Sequence, residues 1–340
     1  MIELKHGPWK LKDLEEVKPT GVKVFSCFHC AGGSTMGYKL AGFDVIGGVE
    51  IDQEMMNIYR ANHVPKHSFC MSIVDFNKIP NSKLPPELFE LDILDGSPPC
   101  SVFSMAGARE RKWGKKHAFR EGQTEQVLDE LFSHFLDTVE KLSPKIVIAE
   151  NVTGMLKGNA KGFVKMILDR FNMLGYNTQL FRLNAAKMGV PQRRERIFFI
   201  ANRIGKTVTI ETKEKHIAVK DVISDYDCDM KEMATHNVVL WKKTKPGGDF
   251  GDVTQNGLRF NYAKFDGDNV SPTICAAARY SHWNQTKEIE GRQFLRLQTF
   301  PDDFNCEKKM MKYICGMSVP PFMMQRIAKN VYEQMLLGEK

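Results

Sequence analysis

A strand–helix–strand pattern near the beginning of the chain places the strongest constraint on its fold. The apolar residues 22–28 predict a short buried strand, and residues 45–49 predict a second one. A turn containing Gly32 and Gly33, and then a helical stretch to about position 41, lie between the two runs. Because strands joined through a helix are parallel, we expect the chain to open as a βαβ unit.

The turn of this unit also has features of a nucleotide site. Glu50 ends the second run 17 positions after Gly33, about where dinucleotide-binding folds carry the acid that holds ribose hydroxyls. This spacing points to a ligand of the adenosine type. A glycine turn between a strand and a helix is also common as pure structure, and that alternative stays open on this segment alone.

Further apolar runs continue the alternation of strands and helices. Residues 91–94, 145–149 and 197–201 predict buried strands. Apolar side chains recur with helical spacing over residues 127–142, and again over residues 164–174. This order predicts an α/β fold with a doubly wound, mostly parallel sheet.

The pattern divides the chain into three segments. At 340 residues the chain exceeds a typical single domain. Charged, glycine-containing and short alternating pieces replace the α/β pattern from about residue 203 to residue 269. We therefore expect a large domain over residues 1–204, a small separate domain over 205–269, and a return to the large domain over 270–340.

Composition narrows the class of protein. No apolar run approaches the length that spans a bilayer, so we expect no membrane association. The first twelve residues are polar and charged, unlike a secretory signal, which predicts a cytoplasmic protein with its eight cysteines reduced. A net charge of +7 favours a polyanionic partner. Basic clusters at residues 109–120 and 193–196 would flank one site, or would be two solvated loops.

A candidate nucleophile follows the apolar run 91–94. Residues 97–100 read Ser-Pro-Pro-Cys. Proline fixes its own φ and restricts the residue before it, so this turn would hold the Cys100 thiol with little conformational freedom. Such a thiol suits covalent catalysis, although a cysteine beside a strand end is often only a small packing residue.

Three charged side chains are placed to assist this nucleophile. Glu150 follows the run 145–149, so its carboxyl should lie at the carboxyl edge of the sheet, where open α/β sheets bind ligands. Arg194 and Arg196 alternate with Glu195, so both guanidinium groups would point to one side of an extended segment. A strand-end glutamate that caps a turn, and a surface strand with salt bridges, would give the same patterns.

Taken in order along the chain, these segments resemble the DNA cytosine-5 methyltransferase family. The resemblance covers nearly the whole chain and rests on the series of motifs rather than on any one of them. The motifs are the glycine turn 28–33, the strand-end Glu50, G-S-P-P-C at 96–100, E-N-V at 150–152, Q-R-R-E-R at 192–196, R-L-Q-T-F-P-D at 296–302 and S-V-P-P at 318–321.

The resemblance implies a Rossmann-like catalytic domain that binds S-adenosylmethionine and is interrupted by a target-recognition domain. Residues 205–269 would be that small domain, and residues 270–340 would complete the catalytic domain. By this resemblance, Phe28, Gly32 and Gly33 would line the site of the cofactor's methionine part. Glu50 would bind the ribose hydroxyls and Ile51 would pack on the adenine. Further implied cofactor contacts are Ser72, Ile73, Pro98, Ser318 and Val319.

The resemblance also implies methyl transfer to carbon 5 of cytosine in a specific duplex DNA sequence, without a metal. Cys100 would add to the neighbouring ring carbon and Glu150 would steady the base. Arg196 would orient the base carbonyl and Glu150, while Arg194 would hold the catalytic loop and a phosphate. The base must be flipped out, because its reacting carbon is inaccessible inside a duplex. Implied DNA contacts are Ser104, Arg109, Arg111, Lys112, Arg193 and Lys243.

Partners and source follow from the same resemblance. Double-stranded DNA is the expected partner, with a cognate restriction endonuclease in the same system as a further candidate. A compact chain without extra modules is typical of bacterial or phage-encoded members, and we expect a monomer.

Three positions depart from the usual family pattern, all on the cofactor side. Cys30 stands where a glycine is typical, Ser72 where an acid is common, and Met317 where an asparagine normally precedes the S-V-P-P motif. A side chain at position 30 would be tolerated if the backbone there is not left-handed. These departures keep open a DNA-binding homologue that methylates weakly.

Transfer RNA as the substrate, and zinc as a ligand, are each disfavoured by the residues. One subgroup with this architecture methylates transfer RNA, but its cysteine-phenylalanine-threonine signature is absent from residues 205–269, which favours DNA. Cys27 and Cys30 form a C-x-x-C pair, but no second close pair follows to complete a zinc site.

Overall fold

A seven-stranded sheet forms the centre of the computed structural model, which describes residues 8–99, 116–117, 126–127, 130–158, 160–223, 230–254 and 262–338. The strands of this sheet are β1 (Lys23–Cys27), β2 (Asp44–Glu50), β3 (His67–Cys70), β4 (Ile93–Gly96), β5 (Ile146–Val152), β6 (Asn177–Asn184) and β7 (Glu195–Asn202). The helices are α1 (Gly33–Leu40), α2 (Gln53–His63), α3 (Ile73–Lys78), α4 (Leu131–Leu142), α5 (Ala160–Met173), α6 (Thr235–Lys243), α7 (Arg292–Leu297), α8 (Lys308–Met317) and α9 (Pro321–Val331).

The strand order of the sheet is β3–β2–β1–β4–β5–β7–β6. Among these seven strands, β7 alone runs in the direction opposite to the other six. The winding direction reverses between β1 and β4, so the loops after these two strands open a crevice at the carboxyl edge of the sheet. This topology confirms the predicted doubly wound, mostly parallel α/β fold.

Helices cover both faces of the sheet because every strand except β3 contributes apolar side chains to two cores. One core joins the sheet to α3, α4 and α5, and the other joins it to α1, α7, α8 and α9. The helix predicted over residues 127–142 begins only at Leu131, since Val127 pairs instead in a two-residue strand. None of the described helices is long and apolar enough to cross a membrane.

A second, four-stranded sheet accounts for the break in the α/β pattern. Its strands are β8 (Lys231–Glu232), β9 (Tyr262–Lys264), β10 (Arg279–Ser281) and β11 (Lys287–Glu288), in the order β8–β11–β10–β9. Two of these strands lie beyond residue 269. The predicted end of the small domain therefore does not coincide with an edge of this sheet.

A carboxylate is buried between β1, β4 and α1. Asp95 is 2% exposed and accepts hydrogen bonds from Ser26 Oγ (2.6 Å) and Tyr38 Oη (3.1 Å). Burial raises the pKa of Asp95 to about 7, and the two hydroxyl donors offset only part of that rise. Asp95 lies on β4, which leads directly into the turn before Cys100. Its protonation state therefore affects the hydrogen bonds of the strand at the start of that turn.

The close contact between α1 and α9 requires a glycine at position 37. A Cβ at Gly37 would lie 2.5 Å from Met324 Cβ and 2.5 Å from Pro321 O. Neither atom is the end of a flexible side chain. The two helices can therefore approach this closely only because position 37 is glycine.

We expect Gly37→Ala to lower the free energy of unfolding by about 1–3 kcal/mol, because the extra methyl overpacks the contact between α1 and α9. Gly162→Ala is the matched control, since a Cβ there, in α5, has nothing within 4 Å. The control should be neutral or stabilising by up to about 1 kcal/mol, because alanine favours a helix. Urea unfolding measures both variants, and a Gly37→Ala protein as stable as the wild type would contradict the packing argument.

Asp95→Asn should change how stability depends on pH. The folded pKa of about 7 exceeds the unfolded value of about 3.9, so the native state binds this proton more tightly. The wild type should lose stability from this group as pH rises from about 4 to about 7, by at most about 4 kcal/mol. The asparagine variant should lack that loss. Its free energy of unfolding should therefore rise relative to that of the wild type as pH increases over this range. Parallel stability curves from pH 4 to pH 8 would contradict the assignment.

Candidate active site

The turn that leads to Cys100 is held against two strands. Ser97 N donates to Cys27 O at the end of β1 (3.3 Å), and Asn151 Nδ2 donates to Pro98 O (3.0 Å). Asn151 is 3% exposed and lies on β5. Cys100 itself lies outside the described residues. The last part of the turn before it is fixed beside the strand that carries Glu150.

Glu150 and Arg196 form an ion pair at the carboxyl end of β5. Arg196 Nε lies 2.8 Å from Glu150 Oε1, and the two side chains are only 14% and 13% exposed. Glu195 points the other way and pairs with the exposed Arg182 (2.6 Å). The predicted alternation is confirmed for these two positions: Arg196 faces the site and Glu195 faces solvent.

The surroundings of Arg194 do not match the prediction that this side chain would hold a phosphate. Its side chain is 2% exposed, and its guanidinium donates to the carbonyl oxygens of Ile274 (3.2 Å) and Gly316 (2.8 Å). Burial lowers the pKa of Arg194 to about 9, and the nearby Arg196 charge adds to this. A buried guanidinium that binds backbone carbonyls has no surface for a phosphate. Arg194 is instead placed to tie the segment before β7 to α8.

The loop after β1 has a strained backbone. Phe28, Cys30 and Gly32 all have positive φ, at 55°, 51° and 92°. The sequence left open whether position 30 is left-handed, and it is, so the cysteine costs more there than a glycine would. The Cys30 thiol points towards α2, with Sγ 3.5 Å from Met55 Sδ. The family departure at this position is therefore accommodated at some cost in strain.

Glu50 braces this loop from the end of β2. Its Oε2 accepts from Cys30 N and its Oε1 from Asp52 N, both at 2.9 Å. Glu50 is 8% exposed, and burial raises the pKa of its carboxyl although backbone donors oppose the rise. The predicted ribose contact is thus also a structural support of the cofactor loop.

A stack of aromatic rings supports the same loop from below, and the sequence patterns did not indicate it. His29 stacks on Tyr59 with centroids 3.8 Å apart, and Tyr59 contacts His63 at 4.6 Å. His29 Nδ1 lies 2.8 Å from Cys30 O, and His63 Nε2 lies 3.1 Å from Ala31 O. Burial lowers the pKa of His29 to about 4, so its ring is neutral and donates its one N–H to the carbonyl.

The adenine side of the predicted cofactor site is only partly open. Ile51 is half-buried and offers an apolar face, whereas Ile73 is 2% exposed and packs in the core. Ser72 caps α3: its hydroxyl accepts from Asp75 N (3.1 Å) and donates to Asp75 Oδ2 (2.7 Å). Ser72 therefore forms a hydrogen bond with an acidic side chain, that of Asp75.

The segment after α8 closes the other side of the cofactor loop. A Cβ at Gly33 would lie 2.4 Å from Val319 O and 2.7 Å from Ser318 Cβ, so only glycine permits this approach. Ser318 and Val319 are 4% and 3% exposed. With the carboxylate of Glu50 and the apolar face of Ile51, these residues have the chemistry that an adenosyl ligand requires.

The predicted DNA contacts divide into two groups. Arg193 and Lys243 are exposed, on the segment before β7 and on α6. The remaining predicted contacts lie outside the described residues: Ser104, Arg109, Arg111 and Lys112.

Comparison with known proteins agrees with this geometry. The model of the C-5 cytosine-specific DNA methylase family matches residues 22–333. The type II methyltransferase M1.HphI of Haemophilus parahaemolyticus is 29% identical, and the match covers 89% of this chain and 85% of that protein. The type II methyltransferase M.NgoPII of Neisseria gonorrhoeae is 30% identical, over 80% of this chain and 73% of that protein.

Solved structures share the fold. A protein described as a DNA modification methyltransferase encoded within an E. coli prophage has a TM-score of 0.70 at 20% identity, covering 93% of this chain and 99% of that one. The S. pombe Dnmt2 methyltransferase has a TM-score of 0.63 at 15% identity, covering 92% and 99%. The chain thus belongs to the C-5 cytosine-specific DNA methylase family, and is a DNA cytosine-5 methyltransferase with S-adenosylmethionine as its methyl donor.

Proposed function

We propose that this chain is the methyltransferase of a type II restriction-modification system and works as a monomer in the cytoplasm beside a cognate endonuclease. Two relatives that align over most of their length carry the type II name. The observation that carries the proposed chemistry is local: Asn151 binds the Cys100 turn, and its neighbour Glu150 pairs with Arg196. These contacts support the proposal, because one strand then holds both Glu150 and the turn that leads to Cys100.

Cys100 is the nucleophile in this proposal. Its thiolate adds to carbon 6 of the flipped cytosine, which makes carbon 5 electron-rich. A cationic side chain beside the thiol would favour the thiolate, since a free thiol is mostly protonated at neutral pH. The tether of Pro98 to β5 supports this role, because it limits where a residue two positions later can lie.

Glu150 and Arg196 hold the base during this addition. Arg196 engages Glu150 Oε1, which leaves the other carboxyl oxygen to meet ring N3 and the exocyclic amine. A proton shared with N3 would neutralise the charge that the thiolate brings into the ring. Arg194 acts as a positioning residue, since it holds the segment before β7, and with it Arg196, to the carbonyls of Ile274 and Gly316.

The cofactor residues act by holding and orienting. When bound, S-adenosylmethionine supplies an electrophilic methyl group to carbon 5. Glu50 would take the ribose hydroxyls, Ile51 would pack on the adenine, and the loop with Phe28 would lie under the methionine part. After methylation, a base, which we take to be water, removes the carbon 5 proton, the ring double bond re-forms and the Cys100 thiolate leaves.

Cys100→Ser should reduce methyl transfer to background while duplex DNA and S-adenosylmethionine still bind, because the nucleophile is separate from the binding groups. The measurement is incorporation of labelled methyl groups into unmethylated duplex DNA, with transfer RNA offered in parallel. Cys306→Ser, in the loop before α8, is the control that should remain active. An active Cys100→Ser protein would contradict the mechanism, and counts in transfer RNA alone would contradict the proposed substrate.

Glu150→Gln should lower kcat about 10²- to 10⁴-fold, because glutamine cannot transfer the proton to the base and leaves Arg196 without its counter-charge. Glu195→Gln is the matched control on the neighbouring strand: its side chain is 40% exposed and faces away, so we expect a change within about twofold. Steady-state methylation kinetics test both variants. Equal activities of the two variants would show that Glu150 takes no part in the chemistry.

A further inference from the structure

A cationic cleft beside α8 is not used by the site described above. It has a volume of about 700 Å³ and lies between the second sheet and the amino-terminal half of α8. Strands β8, β10 and β11 form one wall and α8 forms the other. Its charged lining consists of Lys231, Arg279, Lys308, Lys309 and Lys312 against Glu288 and Glu290.

The carboxylates of the cleft do not balance its cations. Glu288 pairs with Arg279, Glu290 lies 3.6 Å from Lys308 Nζ, and Glu307, beside the cleft, lies 2.8 Å from Lys309 Nζ. Lys312 is half-buried, and its Nζ donates to Ala278 O (2.8 Å). Burial lowers the pKa of Lys312, which means that its ammonium has given up hydration without gaining a full counter-charge. An anion in the cleft would supply that charge.

The cleft is connected to the active site through α8. Arg194 binds Gly316 O near the end of this helix, and a Cβ at Gly316 would lie 2.4 Å from Ala276 N. Lys312 lies four residues before Gly316, which is about 6 Å along the helix, and Lys308 lies about 6 Å further. Lys312 therefore lies about one helical turn from the Gly316 carbonyl that Arg194 binds. Lys308 lies one turn further from that carbonyl.

We propose that this cleft binds the phosphates of the DNA strand next to the flipped cytosine. The cations are spread over β8, β10 and α8 instead of converging on one point, which suits a row of single phosphates better than one compact anion. Lys308 and Lys312 lie four residues apart on α8, about 6 Å along its axis, so each can meet a different phosphate of one strand. The inference rests on the proposed function, since it takes duplex DNA as the substrate.

The test compares two double variants with the same change of charge. Lys308→Gln with Lys309→Gln alters the cleft, whereas Lys161→Gln with Lys165→Gln alters exposed positions on α5, which packs on the other face of the sheet. Affinity for a fluorescent duplex is measured by anisotropy over a series of salt concentrations. Each lost phosphate contact should reduce the slope of log affinity against log salt by about 0.9, so the cleft variant should lose up to about 2 and the control should lose nothing.

Three outcomes would count against the inference. Equal slopes for the cleft variant and the wild type would overturn it, and so would an equal reduction in both double variants, which would reflect net charge alone. If the wild type binds no duplex, the proposed function and the proposed role of the cleft are both wrong. This outcome is distinguishable from the other two, because no salt slope can then be measured. Calorimetric titration with S-adenosylmethionine checks folding, and should give the same affinity in all three proteins.

Discussion

The end of β5 is the point on which the active-site arrangement depends. Two consecutive residues there reach in different directions: Glu150 to Arg196 on β7, and Asn151 to Pro98 after β4. The first contact joins two largely buried opposite charges, and the second satisfies a backbone carbonyl in a turn that proline has already stiffened. A change in the position of β5 would therefore move Glu150 and the turn before Cys100 together, which keeps their relative geometry.

The loop after β1, residues 28–32, shows how a strained backbone is kept in place. A non-glycine residue in the left-handed region costs of order 1 kcal/mol or more, and Cys30 is such a residue. Opposing contacts offset that cost: Glu50 accepts the Cys30 N–H, and the rings of His29 and His63 meet the carbonyls of Cys30 and Ala31. Because burial keeps the pKa of His29 near 4, protonation does not loosen its contact at neutral pH.

The parts of this structure that the sequence could predict are those encoded by local pattern. Alternation of apolar runs, the glycine turn and the Ser-Pro-Pro-Cys turn each depend on neighbouring residues, and they led to the sheet, the crevice and Glu50. Strand β3 has no such pattern, since each of its side chains is half-buried. Contacts such as that of Arg194 with Gly316, 122 positions apart, depend on how the elements pack. Asp95 could have been noticed, because it is an acid that follows an apolar run without an adjacent cation.

We propose that the carboxyl end of β5 aligns the Cys100 thiol with a flipped cytosine. A duplex carrying 5-fluorocytosine at the target position tests this directly, because fluorine leaves no carbon 5 proton to remove and the thiol adduct cannot release after methylation. We predict a covalent protein–DNA complex that forms only with S-adenosylmethionine and that peptide mass spectrometry maps to Cys100. An adduct on another cysteine, or none while the same protein methylates ordinary DNA, would contradict the account.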